Sequence, residues 1–198
     1  MVNYTKPTKK QKYRLKGNMK TRCYSEKYHE VKPEYKGCTV CEEWLNDKKS
    51  FYEWVDQNFY KIEGEETVQL DKDILVPGNK VYSPETCIFA PKAINDLFVR
   101  IHKKKKNGLP VGVTYCKSKQ KYRVSMSKTC DEDKKKTKDE GKSKKKIVIL
   151  GYYDTITEAY EVYKKHKMAE IIYIADMYKD KIPEKLYQAM INWKFDEI

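Results

Sequence analysis

Residues 150–163, Leu-Gly-Tyr-Tyr-Asp-Thr-Ile-Thr-Glu-Ala-Tyr-Glu-Val-Tyr, decide the fold of the second half of the chain. The apolar run Lys146–Tyr152 reads as a strand. Asp154 or Thr155 then offers a side-chain oxygen to the exposed N–H groups of a helix start. The helix that follows is long and carries Ala159, Val162, Tyr163, Ala169, Ile172 and Tyr173 on or near one face. Upstream, Val111–Tyr115 and Lys121–Met126 are short strands joined by a polar hairpin, and a low-complexity insert, Asp131–Lys146, separates them from the third strand. Downstream, Pro183 opens a last helix holding Leu186, Met190 and Trp193. This half is therefore expected to be three strands and a helix, followed by a helical tail.

Charge marks the same region. The 198-residue chain has a formal net charge of +13. Residues 100–150 hold 18 Lys and Arg against 5 Asp and Glu, whereas the remainder holds 24 of each. An excess confined to a quarter of the chain is the electrostatic footprint of a polyanion partner. No apolar run approaches the length that spans a bilayer, and residues 1–17 lack the apolar core of a secretory signal. The expected location is the cytoplasm. There the six Cys stay reduced. Cys38 and Cys41 form the one tight pair; Cys23, Cys87 and His29 match no zinc spacing, so structural zinc is not expected.

The first half reads as a separate unit. Residues 8–28 are expected to be helical, with Pro33 beyond the end, and Gly37–Val40 is a short apolar step. Asn46 or Asp47 can cap a helix with Phe51, Trp54, Val55 and Phe59 on one stripe, which Gly64 breaks. Val68–Leu75 reads as a strand, Pro77-Gly78-Asn79 as a turn and Thr86–Ala90 as a second strand. Pro91 then starts a helix with Ala93, Ile94, Leu97 and Phe98. The Lys103–Lys106 run with Asn107-Gly108 is the linker.

In the second half, Gly112-Val113, Lys121-Tyr122, Leu150-Gly151-Tyr152-Tyr153-Asp154-Thr155, Glu158-Ala159-Tyr160 and Tyr163 resemble the APETALA2-type domain of plant ethylene-response factors. The resemblance covers about 60 residues and implies a three-stranded antiparallel sheet on one helix, reading the major groove of double-stranded DNA. The exposed face is expected to show Lys117, Lys119, Lys121 and Arg123, with Tyr115 and Ser125. Arg123 is the candidate for bidentate reading of guanine, and the lysines hold phosphates. Lys103 and Lys104 of the linker add affinity. The chain departs from the plant domains in having fewer Arg and Trp on the strands and in its charged insert.

Residues 12–99 are similar to phage-encoded, HNH-like proteins of homing-endonuclease type. The likeness runs through Met19–Tyr24, Pro33–Tyr35, Cys41–Trp44, Phe51 with Trp54, Leu70–Leu75, Gly78–Lys80, Tyr82–Cys87 and Ile94-Asn95. It implies a ββα-metal arrangement over Val68–Val99. It further implies a divalent ion, Mg²⁺ or another, at Asp71 and Asn95, with Asp73 as an added carboxylate. The general-base position, His in active members, is Lys72. A solvated lysine, with a pKa of about 10.4, is protonated at neutral pH and cannot take a proton. His102 is the substitute on the helix of Asn95.

The combined expectation is an α+β chain. Residues 1–102 form a degenerate HNH-like ββα-metal unit with flanking helices, and 103–109 a basic linker. Residues 110–166 form the APETALA2-like domain and 167–198 the helical tail. Three functions follow from it: a metal-dependent DNA endonuclease, a non-enzymatic DNA-binding protein, or a phage inhibitor of a host protein contacting it through Glu63–Glu66 or the tail. For a phage-encoded protein the cytoplasm is that of the host cell.

Overall fold

A computed structural model describes residues 1–64, 67–98, 108–129 and 145–195. The chain is α+β and divides into two compact units, Met1–Val99 with Ile172–Lys194, and Arg100–Ile171 with Phe195–Ile198. Among the described residues no helix is long and apolar enough to cross a membrane.

The first unit opens with β1 (Asn3–Tyr4) and α1 (Lys9–Tyr24), the latter started by a reciprocal cap between Thr8 and Gln11. The helix expected over 8–28 is broken at Ser25. Its hydroxyl accepts from the Tyr28 N–H and starts α2 (Glu26–Val31) afresh. A single 3₁₀ turn at Pro33–Tyr35 leads to β2 (Thr39–Val40), α3 (Glu42–Asn46) and α4 (Lys48–Asn58). Asp47 caps α4 by accepting from the Lys49 and Ser50 N–H groups. That helix stops well before Gly64, because β3 (Tyr60–Lys61) extends to pair antiparallel with β1.

Then come β4 (Gln69–Asp71), β5 (Val81–Tyr82), β6 (Ile88–Ala90) and α5 (Lys92–Phe98). β4 pairs antiparallel with β6, so the strand–loop–strand–helix order is present. The first strand is shorter than the expected Val68–Leu75. Asp71 Oδ1 accepts from the Asp73 and Ile74 N–H groups at 2.7 and 2.8 Å, which turns the chain out of the ladder. The loop so formed contributes β5, which pairs parallel with β2.

Strands this short hold little by themselves. The unit is stabilised by rings: Trp44 lies 5.0 Å from Phe51 and 4.9 Å from Trp54, and Phe89 lies 5.5 Å from Trp54 and 5.3 Å from Phe59. Such pairs contribute about 1 kcal/mol each beyond simple burial. The Tyr60 hydroxyl fastens this cluster to the sheet by donating to the Phe89 carbonyl at 2.9 Å. Within the same unit α7 (Glu184–Ile191) buries Leu186 and Met190, and the Trp193 ring packs, tilted, with its centre 4.4 Å from that of Phe98. Residues 172–194 of the expected tail thus group with the first unit.

The second unit is the antiparallel sheet β7 (Val113–Cys116), β8 (Lys121–Thr129) and β9 (Lys145–Tyr153), in that order, followed by α6 (Ile156–Tyr178), of which the residues up to Ile171 belong to this unit. Thr155, not Asp154, caps α6: its hydroxyl accepts from the Glu158 N–H while Glu158 accepts from the Thr155 N–H. Val113, Val124 and Met126 of the sheet bury against Ala159, Tyr160 and Tyr163 of the helix. Gly112, at φ +80°, lies so close to the Tyr163 ring that an added Cβ would stand 2.1 Å from it. Gly151, at φ +152°, accommodates the bulge that leaves Leu150 unpaired between Gly151 and Ile149.

Gly112→Ala meets both a left-handed backbone and the ring. Overpacking and the φ penalty together should lower stability by about 2–5 kcal/mol, read as a lower urea midpoint for the sheet unit's transition. An unchanged midpoint would mean that Tyr163 moves aside freely.

Candidate nucleic-acid interface

Strand alternation sorts the second unit's sheet into two faces. Val113, Tyr122, Val124, Met126 and Tyr153 turn toward α6. The register places the other set in cross-strand rows: Thr114, Arg123 and Tyr152; Cys116 and Lys121; Ser125 and Ile149; Ser127 and Ile147. Ile147 is 72% exposed and Ile149 52%, so this face is open.

Of the expected contact residues, Lys121, Arg123 and Ser125 lie in these rows. Lys117 and Lys119 belong to the hairpin turn, closed by Gln120 at φ +51°. Lys119 folds onto the open face, its Nζ 4.1 Å from the centre of the Tyr152 ring. Lys121 pairs with Asp154 at 3.1 Å, both partly exposed. Tyr115 departs from expectation: opposite Tyr122, with their rings 5.2 Å apart edge to face, it shares the helix-side face with Val113. Lys103, Lys104 and His102 lie outside the described residues, as does nearly all of the 131–146 insert.

Arg123 is half-buried between Thr114 and Tyr152 on the adjoining strands, and its Nε is buried with no hydrogen-bond partner among the described residues. A buried donor left unpaired costs about 1–3 kcal/mol. Cys116 was missed from sequence. Its hydrogen bond with the Ser118 hydroxyl, then the Lys119 N–H, holds the thiol below its ordinary pKa. Tyr152, Ile147 and Ile149 were missed as well, although an even count along β9 from the Arg123 partner finds all three once the Leu150 bulge is allowed for.

The first unit gathers a second cluster around the β4–β5 loop. Lys72 is 4% exposed. Its ammonium donates to the Asp73 carboxylate and, at 2.9 Å, to the Asn79 carbonyl, and it lies near the Tyr82 and Tyr35 rings. Asn79 closes the loop by donating to the Lys72 and Val81 carbonyls at 2.8 and 2.7 Å. Cys38 borders this cluster, its thiol raised chiefly by burial. Burial pushes the neighbouring Cys23 thiol up to about 11. The Asn95 amide donates to Gln69 Oε1 at 2.7 Å.

This arrangement does not suit a divalent ion at Asp71, Asp73 and Asn95. One Asp71 oxygen is committed to two backbone N–H groups, Asp73 is held by an ammonium, and Asn95 is tied to Gln69. The expectation that Asp71 and Asp73 share a strand face also fails, because the strand ends at Asp71. Among the described residues no group of three or more His, Cys, Asp and Glu side chains is placed to hold a metal. Set against known proteins, the chain matches no family profile, no curated protein and no solved structure.

Burial, then the nearby Asp73 charge, raises the pKa of Asp71. The folded chain therefore binds this proton more tightly than the unfolded chain. Stability should decline as pH rises from the ordinary carboxylate value through the raised one. Asp71→Asn keeps an acceptor for the two N–H groups and removes the charge. Urea titrations should show it more stable than the parent at pH 7 and level with it at pH 3.5. Loss of stability at both pH values would contradict this.

Proposed function

We propose that this protein binds double-stranded DNA through the open face of the β7–β8–β9 sheet, and that the strand–loop–strand–helix of the first unit is a scaffold that does not cut. The observation that carries the reading is the composition of that face. Arg123 has an unmet donor at its centre, Lys119 lies over Tyr152, and Lys121, Ser125 and Ile149 lie in adjoining rows.

A small sheet can enter the major groove, about 12 Å wide. Arg123 supplies forked donors matched to the two acceptors of guanine, and Ile149 a surface for a thymine methyl. Lys117 and Lys119, at the hairpin tip, reach phosphates and set register without choosing sequence. Lys121 is partly neutralised by Asp154 and contributes less.

Against cleavage stands the Lys72 ammonium. Held by Asp73 and the Asn79 carbonyl, it is placed as a donor, where hydrolysis needs a group that accepts a proton from water. The Asp71 and Asn95 side chains are used to hold the loop and the helix.

Binding by fluorescence anisotropy should fall steeply between 50 and 200 mM salt, by roughly 10³ for about six phosphate contacts. Arg123→Ala should lower preference for a selected site over random duplex by about 1–3 kcal/mol. Lys119→Ala should weaken all duplexes alike and reduce the salt slope by about 1. A flat salt response would sink the reading. Incubation with Mg²⁺ or Mn²⁺ should leave bound DNA intact; nicking that disappears in Asp71→Ala would restore the endonuclease instead.

A further inference from the structure

We infer that α1 of the first unit is a second contact for the DNA phosphate backbone, separate from the basic 100–150 region and resting on the DNA-binding reading above. The helix Lys9–Tyr24 carries Lys9, Lys10, Lys12, Arg14, Lys16, Lys20 and Arg22, and no Asp or Glu. Whole-chain counting hides this, because acidic residues elsewhere cancel it.

For the isolated protein such a helix is a poor electrostatic choice. Three lysines occupy its first turn, where the helix dipole favours negative charge. Lys12, Lys16 and Lys20 succeed one another at four-residue spacing, as do Lys10 and Arg14, and each like pair is destabilising. Lys16 feels this, its ammonium weakened by burial and then by Lys20. Of the seven, Lys12 has a carboxylate partner, Asp56 at 2.7 Å. Among the described residues Lys9, Lys10, Arg14 and Lys20 form no ion pair, and Lys16 feels only the more distant Asp47. A bound polyanion removes the repulsion, so the arrangement suits a state in which one is present.

Shape supports the same occupant. One flank of α1 borders a cleft of about 400 Å³ that receives Gln11, Arg14, Asn18 and Arg22, with Gln69 and apolar side chains, Phe59 and Leu70 among them, on the far wall. Those α1 residues recur at three- and four-residue spacing, so they form one stripe. The other flank borders a cleft of about 480 Å³ lined by Lys9, Lys12, Tyr13, Lys48 and Tyr52. Among the described residues neither cleft is lined by a carboxylate. Cations beside amides and phenols suit phosphate and sugar oxygens. A membrane surface is the poorer fit, because Met19 and Cys23, among the few apolar side chains of α1, are buried in the unit.

The test is a Lys9→Gln, Arg14→Gln, Lys20→Gln variant of the full chain, all three positions being exposed. Its melting temperature should not fall. Its affinity for any duplex should drop at least tenfold at 0.1 M salt, and the slope of log K against log salt should shrink by about 2–3. Unchanged affinity and slope, with Lys119→Ala still weakening binding, would overturn this inference and leave the sheet reading standing. A parent protein that binds no duplex would overturn the sheet reading first and this one with it. Binding to phosphatidylserine vesicles that is lost in the variant, with the DNA slope unchanged, would assign the helix to a membrane.

Discussion

The Tyr163 ring rests directly on the backbone of Gly112, and what the second unit shows to solvent depends on that approach. The helix comes close enough to one face of the sheet to bury Val113, Val124 and Met126 together with Ala159 and Tyr160. With the apolar positions of one parity used there, the alternate positions are released to the other side. Thr114, Arg123, Ser125 and Tyr152 are held open by the same pleat that buries their neighbours. The open face of the sheet is in this sense the remainder of the core. Any residue at position 112 with a side chain would push the helix outward and loosen both.

The first unit is organised by a different means. Its strands are two or three residues long, and side chains take over what a longer ladder would do. Asp71 gathers two backbone N–H groups, Asn79 ties the loop across its neck, and Lys72 fills the space between them with its charge matched by Asp73. The polar side chains of this loop are thus engaged with one another. Removing any one of them exposes a donor or an acceptor of the others. That mutual dependence makes the loop a single structural unit.

Much of this was legible in the sequence, and the parts that were not have definite physical causes. The sheet and long helix of the second unit could be read from alternation, a cap and helical spacing, all of which are local. So could the strand–loop–strand–helix order and the cap at Asp47. Tyr115 takes the helix side of the sheet because strand parity ties it to Val113, two residues earlier. The Leu150 bulge resets parity along β9, which concealed Ile147 and Ile149. The β2–β5 pairing joins residues about forty apart through two residues on each side, and no periodic signal exists at that length. The break at Ser25 was written in a serine three residues before Tyr28 but was masked by the even run of helix formers around it. The metal expectation came from a resemblance in residue order, and order does not report which hydrogen bonds each side chain already makes.

β9 has a consequence for how the protein behaves in bulk. Among the described residues it pairs with β8 alone, so one side of its backbone is an open edge. Along that edge run Ile147, Val148, Ile149 and Leu150, four consecutive apolar residues with high strand preference. An unpaired edge of this composition is a template for the same strand of another molecule. Lys146, at its head, is the gatekeeper that keeps two such edges apart by charge. Raising the ionic strength screens that lysine and weakens the charge repulsion at the β9 edge.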